Sequence, residues 1–196
     1  MVAPPSVPSE RLTDWRQVSD TTETPFSAGG LTVSAGIRLY EDDRLRGTVR
    51  ERTGLDRSWR FFLAARLELD PSPPVTGPLR RLVASRASRG FADRLGDRGF
   101  VDVDRAERRS LRVGDADARL FRYDARCRVD GVTLDVDGWL AVWAPDRAFR
   151  LAGGAYPTAV VGADGSAAED VVETLETHID PEAFRAELFE LIRGTR

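Results

Sequence analysis

From Leu31 the chain alternates strictly, with Leu31, Val33, Ala35, Ile37 and Leu39 on one side and Thr32, Ser34, Arg38 and Tyr40 on the other. A period of two predicts a half-buried strand. Beyond it Glu41-Asp42-Asp43, Gly47 and Gly54 mark turns, with Thr48-Val49-Arg50 as a short strand between them. A second alternating run places Trp59, Phe61, Leu63, Ala65, Leu67 and Leu69 opposite Arg60, Arg66 and Glu68, and Asp70-Pro71-Ser72-Pro73-Pro74 stops it. After Gly77-Pro78 the spacing turns helical: Leu79, Val83, Ala87, Phe91 and Leu95 recur every fourth residue, Pro78 suits the first turn and Gly99 the stop. Gly90 and Arg94 interrupt that arc and suggest a kink or an end near Gly90.

Phe100–Val103 and Leu111–Val113 read as short strands joined through Arg105 to Ser110. The strongest local signal follows, where Asp130-Gly131 separates two alternating runs and supplies the pair that a two-residue hairpin turn requires. Pairing Val129 with Val132 sets Cys127 against Leu134, Ala125 against Val136, Tyr123 against Gly138 and Phe121 against Leu140, all on a core face. The other face sets Arg128 against Thr133, Arg126 against Asp135, Asp124 against Asp137 and Arg122 against Trp139, and becomes apolar through Leu120, Ala141, Ala118 and Trp143. It is wet near the turn and covered at the far end.

Ala144-Pro145-Asp146-Arg147 predicts a tight turn, with Phe149–Gly153 returning as a strand. Gly153-Gly154-Ala155-Tyr156-Pro157 ends it, either as a bulge or as a place where a ligand approaches the backbone. Ser166 with Glu169 forms a capping-box signature before Val171, Val172, Leu175, His178 and Ile179. Asp180-Pro181 then opens a last helix that turns Phe184, Leu188, Leu191 and Ile192 inward. Residues 1–25, rich in Pro, Ser and Thr, read as a flexible arm anchored at Trp15, and 26–196 as a single α+β domain: a mainly antiparallel sheet sandwiched by helices. In order of elements, Leu31 to Arg196 resembles the PsbP-like α/β/α sandwich. That resemblance implies a binding or accessory module rather than a catalyst.

Composition narrows the chemistry. The 196 residues carry one Cys and one His, which excludes an internal disulfide and a poly-His metal site. All 29 basic residues are Arg, Asn is absent and Gln occurs only at Gln17. This composition resembles that of a haloarchaeal cytosolic protein, with a GC-rich actinobacterium as the alternative source. No leader-like segment opens the chain and no apolar run is long enough to span a bilayer, so a cytoplasmic location without membrane contact is expected. Arg44 to Arg128 holds about 21 Arg against about 12 acids, whereas Val129 to Arg196 holds about 5 against about 13. Arg alternating with Asp and Glu reads better as mutual neutralisation across one surface than as a nucleic-acid footprint.

Candidate chemistry is sparse. Cys127 falls in the core phase of its strand and reads as an inert thiol, and His178, at the end of a helix stripe, as a packed or capping residue. Asp102/Asp104, Asp115/Asp117 and Asp135/Asp137 have the spacing for Mg or Ca but read better as solvated acids, so no metal or other cofactor is expected. Asp124 opposite Asp137, flanked by Arg122 and Arg126, reads as an ion-pair ladder, with a general base at Asp124 or Asp137 of a small-molecule-binding enzyme as the alternative. The expected ligand-binding surface joins Trp139, Trp143 and Tyr156 as apolar anchors to Arg122 and Asp137 as polar orienters, for a protein or small-molecule partner. Its competitor takes the tryptophans as the floor under a helix. Nucleic-acid association through the Arg-rich middle is the remaining alternative.

Overall fold

Seven strands form one antiparallel sheet in the order β1-β2-β3-β7-β6-β5-β4, and four α-helices pack around it. The computed structural model describes residues 2–28, 30–165 and 169–196. β1 (Trp15–Ala28) and β2 (Leu31–Asp42) make a hairpin, α1 (Asp43–Thr53) leads to β3 (Phe61–Asp70), and α2 (Gly77–Asp97) crosses to the far edge. From there β4 (Phe100–Val113), β5 (Ala116–Val129), β6 (Val132–Trp143) and β7 (Phe149–Ala163) meander back until β7 pairs with β3. α3 (Glu169–His178) and α4 (Pro181–Gly194) close the chain. The α+β class with an antiparallel sheet is therefore the architecture.

The Asp130-Gly131 turn stands as expected, both residues at positive φ (47° and 80°), the signature of a two-residue turn whose twist matches the strands. Its register holds from Val129↔Val132 through Cys127↔Leu134 to Phe121↔Leu140. This sorts the sheet into two faces. On one, α2 lays Phe91 and Leu95 over Gly138 and Tyr123, where a Cβ at Gly138 would meet Leu95 at 3.3 Å. On the other, α4 lays Leu188 over Gly154 and Phe184 against Tyr156. Gly154 lets the strands and α4 close together, since a side chain there would overlap the Phe61 carbonyl oxygen.

Several elements differ from the sequence expectation. Residues 1–25 do not form a free arm. β1 pairs with β2 along its length, Val2 is buried over Gly36, and the Ser6 and Arg196 backbones exchange hydrogen bonds of 3.0 and 2.9 Å. Thr48-Val49-Arg50 lies in α1, because Asp42 caps that helix by accepting from the Leu45 N–H at 2.9 Å and Gly54 ends it at φ 76°. The two short strands after Gly99 are one strand, β4, whose bulges around Asp102 and Arg105 hide the alternation. α2 runs through Gly90 as one helix, and β7 continues past Gly153 to Ala163. The capping box at Ser166 lies outside the described residues.

One buried ion pair ties these layers together. Arg60, just before β3, has a side chain only 1 % exposed; its Nη1 donates to Asp42 Oδ2 at 2.6 Å and its Nη2 to Glu187 Oε2 at 2.7 Å. The guanidinium lies 4.0 Å from the centre of the Phe184 ring and 5.0 Å from that of Trp15, whose Nε1 donates to Glu187 Oε1. One cation thus joins the cap of α1, the entry to β3, the start of β1 and the middle of α4. Replacing it strands the Asp42 carboxylate, 2 % exposed, without its partner. Arg60→Met is expected to cost about 3–5 kcal/mol, read as a lowered urea midpoint with an unchanged slope.

Candidate ligand-binding site

The expected aromatic patch is not a surface. Trp139, Trp143 and Tyr156 are 2 %, 4 % and 1 % exposed, so none of them is available as a ligand anchor. The strand register explains this. Trp139 pairs across to Gly154, and the missing side chain there lets α4 descend until Phe189 meets the indole edge-on at 5.0 Å. Trp139 Nε1 donates to the Tyr156 hydroxyl at 3.1 Å, which satisfies the buried indole N–H. Trp139 is the floor under a helix, and Trp143 is buried in the same core.

The polar members of that patch form a closed ladder. Asp124 and Asp137 do face each other, and Arg122 Nη2 bridges them at 3.0 Å to each. The Arg122 guanidinium also lies 6.0 Å from the centre of the Trp139 ring, as expected, and Arg109 lies closer at 5.0 Å. The hydrogen bond that Arg122 donates to Asp137 holds its pKa above the ordinary value. Arg126 pairs with Asp135 and Asp102, and Arg112 with Asp117, so each of the three acid pairs gives at least one carboxylate to an arginine. Among the described residues no group of three or more His, Cys, Asp and Glu side chains is placed to hold a metal ion. Burial pushes the Cys127 thiol up, away from the reactive thiolate. His178 Nδ1 lies 2.8 Å from the Thr174 carbonyl oxygen, a hydrogen bond within its own helix.

Concave space lies elsewhere. A cleft of about 540 Å³ runs between α3 and the end of β7, lined by Asp164, Glu169, Glu173 and Glu176 with Val172. A second, of about 420 Å³, opens between α2 and the β4–β5 edge and is lined by Ser85, Ser88, Arg89, Ala92, Val103, Arg105 and Tyr123. Its geometry follows from two periods. Ser85, Ser88, Arg89 and Ala92 recur at three- and four-residue spacing on one side of α2, while Arg105, paired in register with Tyr123, shares the sheet face that α2 covers.

The floor of this second cleft is a satisfied hydroxyl pair. Tyr123 OH donates to the Ser88 carbonyl at 2.8 Å, and Ser88 Oγ, 2.6 Å away, donates in turn to the phenol oxygen. The walls are cationic. Arg89 and Arg105 are exposed and, among the described residues, have no carboxylate within ion-pair distance. Arg89 Nη2 reaches Ser85 Oγ at 3.4 Å, which leaves the Ser85 hydroxyl proton to be donated into the cleft. Arginines on the other strands are mostly spent on acids, as at Arg38 with Asp20, Arg66 with Glu68 and Arg150 with Asp146. None of these cleft residues was singled out by sequence pattern. The signal was present in the stretch from Gly77 to Ala92, which holds Arg80, Arg81, Arg86 and Arg89 and no acid.

Burial raises the pKa of all three tyrosines, most strongly at Tyr123 and Tyr156. Desolvation pushes Tyr123 and Tyr156 up to about 12 from an ordinary 10.0, partly offset at Tyr123 by its Ser88 hydrogen bond and at Tyr156 by the one from Trp139. Above pH 10 the unfolded chain has released these protons while the folded chain keeps them, so stability falls as pH rises toward 12. The loss is expected at up to about 1.4 kcal/mol per pH unit for each tyrosine. Urea unfolding between pH 9 and 12 checks this, with Tyr123→Phe flattening the decline by about half.

Comparison with known proteins adds one finding. No curated protein and no solved structure matches the chain. A family model matches residues 4–196, nearly the whole length, and is described as Domain of unknown function (DUF6517). The chain belongs to the DUF6517 family.

Proposed function

We propose that this chain is a binding module for a small anionic ligand, seated in the cleft between α2 and β4. The observation that carries the reading is the convergence of Arg89 and Arg105, both without carboxylate partners, on an open cleft of about 420 Å³ with the Ser85 hydroxyl at its wall. That volume lies within the range of small-ligand sites. Guanidinium groups present several N–H donors in a planar fork, which matches the oxygens of phosphate or carboxylate.

The reading keeps the accessory character expected from sequence and moves its surface. Trp139 and Tyr156 carry α4, Trp143 is buried, Arg122 and Asp137 hold each other, and ligand contact passes to the opposite face of the sheet. A cytoplasmic, salt-adapted setting fits the same picture. Cys127 is a free thiol, arginine is the sole basic side chain besides one histidine, and ion pairs cover much of the surface. No helix among the described residues is long and apolar enough to cross a membrane.

Calorimetric titration with pyrophosphate in 0.1 M salt tests the site. Loss of one charge-assisted hydrogen bond is worth about 1.5–3 kcal/mol, so Arg89→Gln and Arg105→Gln are each expected to weaken binding about 10- to 100-fold. Both side chains are exposed, and the variants are expected to unfold with the wild-type urea midpoint. Absence of binding to the wild-type protein, or wild-type affinity in both variants, overturns the reading.

A further inference from the structure

The cleft is not the end of the unpaired charge. Arg81 lies four and eight residues before Ser85 and Arg89, so it stands on the same side of α2, one turn beyond the cleft wall. Arg108 follows Arg105 on the same sheet face, because Arg105 pairs with Tyr123 and Arg108 with Phe121, two core-facing positions of β5. α2 and β4 diverge from a common turn at Gly99. Counting from it at about 1.5 Å per helical residue and about 3.3 Å per register position of the bulged strand, Arg89 and Arg105 lie roughly 15 and 17 Å out, and Arg81 and Arg108 roughly 27 and 23 Å out. The second pair of guanidiniums therefore lies about 7 to 12 Å beyond the first. Arg81 and Arg108 are exposed and, among the described residues, also lack a carboxylate within ion-pair distance.

Helix stability opposes this arrangement. The start of a helix is its positive pole and favours Asp or Glu, yet the first turn of α2 has no acid, and Arg80 and Arg81 stand near it. The remaining acids of the helix, Asp93 and Asp97, sit at the other end. The acids of β4 point away: Glu107 stands opposite Arg122 and Asp104 opposite Asp124, on the face that α4 covers in part. Outward from Arg89 and Arg105 the groove thus carries no acid, Asp93 standing one turn from Arg89 at its closed end, in a chain whose net charge is −3. A multiply charged anion neutralises the groove in a way that no part of the described chain does.

Resting on the anion-binding reading above, we propose that the groove between α2 and β4 takes a linear chain of phosphates, with one end in the Ser85–Arg89–Arg105 cleft and the rest running outward between Arg81 and Arg108. Tyr123 and Phe121, the aromatic rings of β5 beneath the groove, are 1 % and 2 % exposed, so neither gives a base a surface on which to stack. Recognition falls on phosphate oxygens. Inorganic polyphosphate and the phosphate tail of a nucleotide share that chemistry.

The test titrates the full chain with pyrophosphate, tripolyphosphate, a polyphosphate of about fifteen residues, ATP, and an oligodeoxythymidylate of matched charge, all in 0.1 M salt. Affinity is expected to rise at least tenfold from pyrophosphate to the longest polyphosphate. Arg81→Gln and Arg108→Gln are each expected to weaken the long chain at least fivefold while leaving pyrophosphate unchanged. ATP tighter than tripolyphosphate assigns the nucleotide as source, and ATP equal to or weaker than it assigns the inorganic chain; either supports the shared chemistry. Equal affinity for short and long chains, no effect of the two substitutions, or tighter binding of the oligonucleotide than of polyphosphate overturns this proposal. Where pyrophosphate still binds through Arg89 and Arg105, only the extension fails; where it does not bind at all, the cleft itself fails.

Discussion

A guanidinium buried at 1 % exposure must have its charge met by protein, and Arg60, whose Nη atoms are paired while its Nε is not, obliges three parts of the chain to meet it. Asp42 comes from the end of β2 and caps α1, Glu187 comes from α4 more than a hundred residues later, and Trp15 and Phe184 cover the planar faces. Geometry with so many fixed partners leaves α4 few places to dock. Once Glu187 is held, Leu188 and Phe189 come down on Gly154 and Trp139, and Tyr156 is sealed beneath Phe184. Covering this face removes the aromatic side chains from solvent and leaves recognition to the charged groups of the other face.

That redistribution is an argument about arginine. Every basic side chain except one histidine is a guanidinium, and each has to be paired, stacked or left to solvent. Inside the fold and across the face near α4 they are paired: Arg60 with Asp42 and Glu187, Arg122 with Asp124 and Asp137, Arg126 with Asp135. At Arg81 and Arg89 of α2 and Arg105 and Arg108 of β4 they are not, although Arg94 at the end of α2 pairs with Glu23 and the chain as a whole has more acids than bases. A surplus of acid elsewhere and a deficit here is a polarity of the molecule, and it lies beside a cleft of ligand size.

Sequence pattern made the sheet legible where local chemistry decided it. The Asp130-Gly131 turn needs residues that tolerate positive φ, so both the turn and the register beyond it were readable. Pattern failed where tertiary contact overrode it. β1 carries Thr, Ser and Pro and looks like an arm, yet its backbone is satisfied by β2 and its Trp15 by Arg60 and Glu187, partners that no local window contains. Bulges broke the alternation of β4 into two apparent pieces. The aromatic site was misplaced for a related reason: Trp139 was correctly set opposite Arg122, but whether a helix covers it depends on Gly154 and α4. Charge counted by segment also averaged α2, where acids are absent before Asp93, with β4 and β5, where they abound.

The central claim is that the guanidiniums between α2 and β4 are the ones left for a ligand. It is tested most directly by following the Nε–Hε resonances of all arginines by NMR while pyrophosphate is added. The account predicts saturable shifts at Arg89 and Arg105 together with unmoved signals at Arg60 and Arg122. Shifts spread evenly over the surface arginines, or confined to Arg122 and its neighbours on the opposite face, contradict it.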